Sequence, residues 1–151
     1  MLFFLNEYVD LICHYLLILT VNGTTGEGVY SLTVDERMAL TEAWVKEKSK
    51  VPTIIVQVGG CGLRDAQKLA KHAQDIGATA IAVLPSMFTF PSDVDELIEW
   101  ISQIASAAPD LPCLYYHIPV FTKVTRKYFT KKILCIFELF HDDFEKIYVT
   151  R

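Results

Sequence analysis

Paired cysteines, a basic excess and a long apolar run are all missing from this chain, and each absence removes a class of function. The four cysteines, Cys13, Cys61, Cys113 and Cys135, are widely spaced, with no CxxC pair and no local histidine cluster. That spacing argues against a zinc site or a disulfide framework, and for reduced, mostly buried thiols in a cytoplasmic protein. Lysine and arginine together number 14 against 18 aspartates and glutamates, a formal net charge of −4, so nucleic acid is not an expected partner. The apolar run over residues 11–21 is too short to cross a bilayer, which takes about 20 residues, and no membrane role is expected. The first five residues are apolar, but Glu7 and Asp10 follow and no basic region precedes them, which fits a secretory leader poorly. In a chain that fits a secretory leader poorly, the formal glycosylation sequon Asn22-Gly23-Thr24 is not expected to be used. Glycines 23, 26 and 28 do not match the dinucleotide fingerprint, and the lysine of a phosphate-binding loop is absent. Neither a metal nor a redox cofactor is indicated.

What is present is globular in composition, with 52% apolar and 21% charged residues. Strand-like and helix-like segments alternate along the chain. Residues 15–21 read as a buried strand. Thr33, with Glu36 three residues on, reads as the capping box of a helix to about Lys50. Pro52 ends that helix, and residues 53–58 form a β-branched strand. Gly59, Gly60 and Gly62 turn the chain into a second helix, with Leu63, Ala66, Ala70 and Ala73 on its buried stripe and Gly77 as its stop. Residues 79–84 make the next strand. Ser92 and Asp93 cap a helix whose Val94, Leu97, Ile98, Ile101 and Ile104 fall at helical spacing, and residues 111–116 make a fourth strand. A fifth is expected near residues 147–149. Units of this kind imply right-handed βαβ crossovers and a parallel α/β sheet. A closed eight-stranded barrel takes about 250 residues, so the chain supplies a little over half of one. A complete, small doubly wound sheet is the competing architecture.

Two strand ends carry the candidate chemistry: Val21-Asn22-Gly23-Thr24-Thr25-Gly26-Glu27-Gly28 and Tyr115-Tyr116-His117-Ile118-Pro119. Small hydroxyls, backbone amides and a phenol at the C-terminal ends of parallel strands can hold an anion and move a proton. Taken alone, Thr24-Thr25 also reads as an ordinary strand-to-helix turn, and a strand-end tyrosine as packing with a satisfied hydroxyl.

With Ser31-Leu32-Thr33 and Glu36-Arg37, Gln57-Val58-Gly59, and a looser match at residues 6–10, these segments resemble the N-acetylneuraminate lyase branch of the dihydrodipicolinate synthase/N-acetylneuraminate lyase family. The likeness covers residues 6–122. It implies a (β/α)8 TIM barrel acting as a class I aldolase, in which a lysine forms a Schiff base with a 2-keto acid and the cation draws electrons from a breaking carbon–carbon bond. By that resemblance Thr24 and Thr25 bind the keto-acid carboxylate, Tyr116 transfers the proton, and the reaction cleaves N-acetylneuraminate to N-acetylmannosamine and pyruvate. Glu27 is read as a loop anchor and His117 as a hydrogen-bonding loop residue.

The chain also departs from the family. The Schiff-base lysine belongs on the strand after Tyr116. Spacing favours Lys146, 30 residues beyond Tyr116, whereas local pattern puts Tyr148 in the lysine's place. Phe88 stands near where relatives place a relay tyrosine. These features predict a partial barrel, about strands 2 to 5 or 6, with a barrel domain at residues 1–122 and a divergent segment at 123–151. Such a chain is expected to be a truncated form, weakly active or inactive, with open sheet edges that favour self-association or a homo-oligomer. The expected small-molecule partner is a 2-keto acid or a sialic acid. The alternatives are a non-catalytic fragment that associates with full-length lyase subunits, or an unrelated small α/β domain.

Overall fold

Four short parallel strands, laid side by side in the order in which they occur in the chain, form the sheet. The structure is a computed structural model and describes residues 18–23, 28–87 and 89–124. Its elements are β1 (Ile18–Val21), α1 (Gly28–Ser31), α2 (Val34–Lys46), β2 (Thr53–Gln57), α3 (Leu63–Asp75), β3 (Ala80–Val83), α4 (Val94–Ala105), β4 (Cys113–Tyr115) and α5 (Pro119–Thr122). The strand order is β1-β2-β3-β4, and every pairing is parallel. A doubly wound sheet reverses its order at a switch point. No reversal occurs among the described residues, so the arrangement is consecutive β/α units, part of a (β/α)8 barrel. The fifth strand expected near residues 147–149 lies outside the described residues.

The helices form where local chemistry starts and stops them. Thr33 caps α2: its hydroxyl accepts from the Glu36 amide, and the Glu36 carboxylate accepts from the Thr33 amide at 2.9 Å. Those Thr33 bonds hold the Glu36 carboxyl below its ordinary range. The helix ends at Lys46, four residues before the expected Lys50, because Glu47 leaves helical geometry and the chain turns through Lys50 N–H to the Glu47 carbonyl. α3 closes on Gly77 (φ 81) with Ala78 N–H donating to the Ala73 carbonyl and Gly77 N–H to that of Gln74, the paired bonds of a Schellman stop. Asp93 caps α4 by accepting from the amides of Asp95 and Glu96.

Alternation along each strand divides the sheet into two faces. Val21, Ile54, Val56, Ile81, Val83, Cys113 and Tyr115 join Ala66, Leu69, Ala70, Leu97, Ile101 and Ile104 in one buried core. The alanines of α3 let that helix lie close to the strands. Each fully buried Leu or Ile contributes about 1.5–3 kcal/mol by leaving water. The other face carries Thr20, Ile55 and Ala80 in one register row and Gln57, Ala82 and Leu114 in the next. Ile18, near the start of β1, is 45% exposed. In a closed barrel this second face is the interior.

Candidate functional site

The C-terminal ends of the four strands come together at Asn22, Gln57–Gly59, Leu84 and Tyr116. Ladder bonds continue past the strands there, from Val58 N–H to the Ala82 carbonyl and from Tyr116 N–H to the Val83 carbonyl, both 2.9 Å. Trp100 on α4 donates its indole N–H to the Leu84 carbonyl at 3.0 Å, which anchors the end of β3.

Asn22 begins the loop after β1. Its backbone is left-handed (φ 59), a conformation that asparagine tolerates better than most residues. Its buried amide Nδ2 donates to the Arg37 carbonyl at 3.1 Å and to Thr41 Oγ1 at 3.0 Å. The loop returns at Gly28, where an added Cβ would lie 2.9 Å from Asn22 Cα. Both ends of the loop are therefore pinned against each other, and glycine is what allows the contact.

Arg37, only 1% exposed, is the largest of the fully buried side chains. Its Nη2 donates to the main-chain carbonyls of Gln57 (2.7 Å) and Gly59 (3.1 Å). Burial pushes the guanidinium down from its ordinary value. The Cys61 thiol, which hydrogen-bonds to it, and Asp65 partly offset that effect. Gln57 is fully buried, and its Oε1 accepts from Gly59 N–H at 2.8 Å. That bond fixes which way the amide points. Three buried polar atoms of this group have no partner: Asn22 Oδ1, Arg37 Nε and Gln57 Nε2. Gly59 itself packs so closely on the end of β3 that a Cβ would lie 2.5 Å from Leu84 N.

The two tyrosines of the second segment separate. Tyr115 belongs to the helix-packed core; burial raises its phenol well above the ordinary value, partly offset by a hydrogen bond with Thr122. His117 lies against it, with ring centroids 5.7 Å apart and the planes tilted by 47°. Tyr116 is half-buried and, by strand alternation, on the opposite face, in the row beyond Leu114. A cleft of about 240 Å³ opens beside Asn22, between β1 and the Leu40 and Trp44 side chains of α2.

Of the residues expected from sequence, Tyr116 stands at the strand-end face. Thr24, Thr25, Glu27, Phe88 and Lys146 lie outside the described residues. Sequence reasoning missed the Asn22–Arg37–Thr41–Gln57 network. The available signals were an asparagine before glycine at a strand end, and an arginine with a threonine four residues on within one helix. Among the described residues, no three His, Cys, Asp or Glu side chains group as metal ligands, and no helix is long and apolar enough to cross a membrane.

Comparison with known proteins places this geometry. Residues 12–135 match the dihydrodipicolinate synthetase family. N-acetylneuraminate lyase B of Xenopus laevis is 44% identical over 124 residues, 80% of this chain and 46% of that protein. N-acetylneuraminate lyase of Homo sapiens is 50% identical over 105 residues, 69% of this chain and 32% of that protein. The chain thus spans less than half the length of these relatives. Among solved structures, the N-acetylneuraminate lyase of Aliivibrio salmonicida aligns with a TM-score of 0.67 and 34% identity, over 76% of this chain and 39% of that one. Dihydrodipicolinate synthase of Aquifex aeolicus aligns with a TM-score of 0.74 and 27% identity, over 82% of this chain and 42% of that one. An unrelated small α/β domain with a coincidental loop is thereby set aside. The chain belongs to the dihydrodipicolinate synthetase family and is a homologue of N-acetylneuraminate lyases over part of their length.

Proposed function

We propose that this chain carries the 2-keto-acid end of an N-acetylneuraminate lyase site. Thr24 and Thr25 bind the carboxylate through hydroxyls and backbone amides. Tyr116 moves the proton of the substrate hydroxyl. In the whole reaction a lysine amine condenses with the keto carbon and releases water. The iminium takes up the electron pair of the breaking carbon–carbon bond, N-acetylmannosamine leaves, and protonation and hydrolysis of the enamine release pyruvate. Lys146 is the candidate for that amine. None of the four described strands carries a lysine, and with Tyr148 competing for the lysine's place, turnover by this chain alone is weak or absent.

The observation that carries this reading is the placement of Tyr116 at a strand end, on the face away from the helix-packed core, within the same strand-end layer as the pinned loop of Asn22 and Gly28. The high identity to named lyases supports the substrate class. The buried Cys113 thiol, free of any disulfide among the described residues, supports a cytoplasmic setting.

Borohydride reduction in the presence of pyruvate, read by intact mass and peptide mapping, tests the chemistry. An adduct on Lys146 supports a working Schiff base, and an adduct elsewhere overturns that assignment. A second reading, association with full-length lyase subunits or another copy, is favoured by the exposed Ile18 on β1, an edge strand among the described residues. Sedimentation that shows only monomer would remove it.

A further inference from the structure

The end of β1 carries a reactive dipeptide that the fold holds in check. Asn22 is followed by Gly23, whereas the chain's other asparagine, Asn6, is followed by glutamate. A side-chain amide is lost most readily before glycine, which has no Cβ to crowd its main-chain nitrogen during attack. The Gly23 nitrogen gives up its proton and attacks Asn22 Cγ. A carbon–nitrogen bond forms, the Cγ–Nδ2 bond breaks, and Nδ2 takes up a proton and leaves as ammonia. Water then opens the cyclic imide at either carbonyl and leaves aspartate or isoaspartate.

Ring closure needs the carboxamide to swing onto its own main chain, and in the folded protein it is tied to a different element. Asn22 is 4% exposed. Its Nδ2, the leaving group, donates to the Arg37 carbonyl at 3.1 Å and to Thr41 Oγ1 at 3.0 Å, both on α2. An amide nitrogen has two hydrogens to give. The two acceptors are joined in turn, because the buried Thr41 hydroxyl donates to the Arg37 carbonyl at 2.7 Å. The main chain has little room to yield: Val21 pairs with Val56, and a Cβ at Gly28 would lie 2.9 Å from Asn22 Cα. The reaction therefore runs through an opened form, and the population of that form sets its rate.

The product opposes closing again. An aspartate side chain at this position offers acceptor oxygens to the Arg37 carbonyl, itself an acceptor, in a buried place. Isoaspartate lengthens the main chain by one carbon where the register of β1 with β2 ends.

We propose that Asn22 is a modification site gated by the fold: it deamidates through Gly23 when the contact between the β1 end and α2 opens, and the product marks opened chains irreversibly. The inference stands whether or not a keto acid binds.

The test incubates the full chain in mildly alkaline buffer, with and without urea, and follows Asn22 by peptide mapping that separates aspartate from isoaspartate. Circular dichroism confirms folding in buffer. Conversion in the folded chain is expected to be slower than in urea by about tenfold or more. Thr41→Val keeps the buried shape and removes one of the two acceptors. It should speed conversion in buffer about fivefold, as the loss of one hydrogen bond would, and leave the rate in urea unchanged. Equal rates for folded and unfolded wild type overturn the gate, and an Asn22 that survives in urea as long as Asn6 overturns the site. Folded Thr41→Val that converts at the wild-type rate shows that these bonds do not hold the amide. If Thr41→Val does not fold, the wild-type comparison decides alone. Asn22→Asp, which carries the product's side chain, should melt below wild type, and equal melting would overturn the irreversible mark.

Discussion

Tyr115 and Tyr116 are adjacent in the chain and face opposite sides of the sheet. Tyr115 is 8% exposed within the helix-packed core, while Tyr116 is half-buried at the strand end. The two should therefore respond differently to mutation. Tyr115→Ala is expected to cost about 3–5 kcal/mol of stability by leaving a cavity. Tyr116→Phe should cost less than about 1 kcal/mol, yet lower any pyruvate release from N-acetylneuraminate by roughly a hundredfold or more. Urea denaturation and a coupled pyruvate assay separate the two effects. Equal destabilisation by both substitutions would place Tyr116 in the core.

Gly59 and Gly77 offer a paired test of backbone packing. At Gly59 a Cβ would meet Leu84 N at 2.5 Å, whereas at Gly77 nothing lies within 4 Å and only the positive φ of 81° resists substitution. Gly77→Ala is expected to cost about 1–2 kcal/mol. Gly59→Ala should cost more, because the obstacle is main chain and the end of β2 must shift. Thermal unfolding of both variants checks the order.

Asn22 combines a left-handed backbone with two buried side-chain bonds. Asn22→Gly keeps the backbone and loses the bonds, at about 1–2 kcal/mol. Asn22→Ala loses both, at about 2–3 kcal/mol. The inverse order, alanine more stable than glycine, would mean that the left-handed backbone does not constrain this position.

The Cys113 thiol is pushed up to about 12 by burial. The unfolded chain ionises first as pH rises, so the stability this neutral thiol contributes is intact below its ordinary value of 9.0 and is lost as pH climbs towards about 12. The raised Tyr115 phenol adds to that alkaline loss above its ordinary value of 10.0. In native protein near pH 8, iodoacetamide should label the half-buried Cys61 well before Cys113. Peptide mapping after timed labelling reads the order directly.

Much of the scaffold was legible because its local rules agree. Thr33 and Glu36 form the capping box that their spacing predicts, Gly77 stops its helix, and the β-branched run 53–57 is a strand. The choice of a barrel over a doubly wound sheet came from the family resemblance and not from local pattern, since it depends on strand order, which no local pattern encodes. The strand-end position of Tyr116 was legible from its place after an apolar run. Arg37 and Gln57 were not, because an arginine on a helix and a glutamine at a strand end ordinarily read as solvated. Among the described residues the Gln57 and Gly59 carbonyls, 20 and 22 residues along the chain from Arg37, accept from that buried guanidinium. α1 and α5, four residues each, are too short to leave a periodic signal.

The most direct test of a keto-acid site at the C-terminal strand ends is amide chemical-shift mapping of the chain titrated with pyruvate. Saturable shifts centred on Asn22, Gly23, Gly59 and Tyr116 are the expected result. Saturable shifts at the opposite ends of the strands, around Val51, Ala78 and Leu111, or none in folded protein, would contradict it.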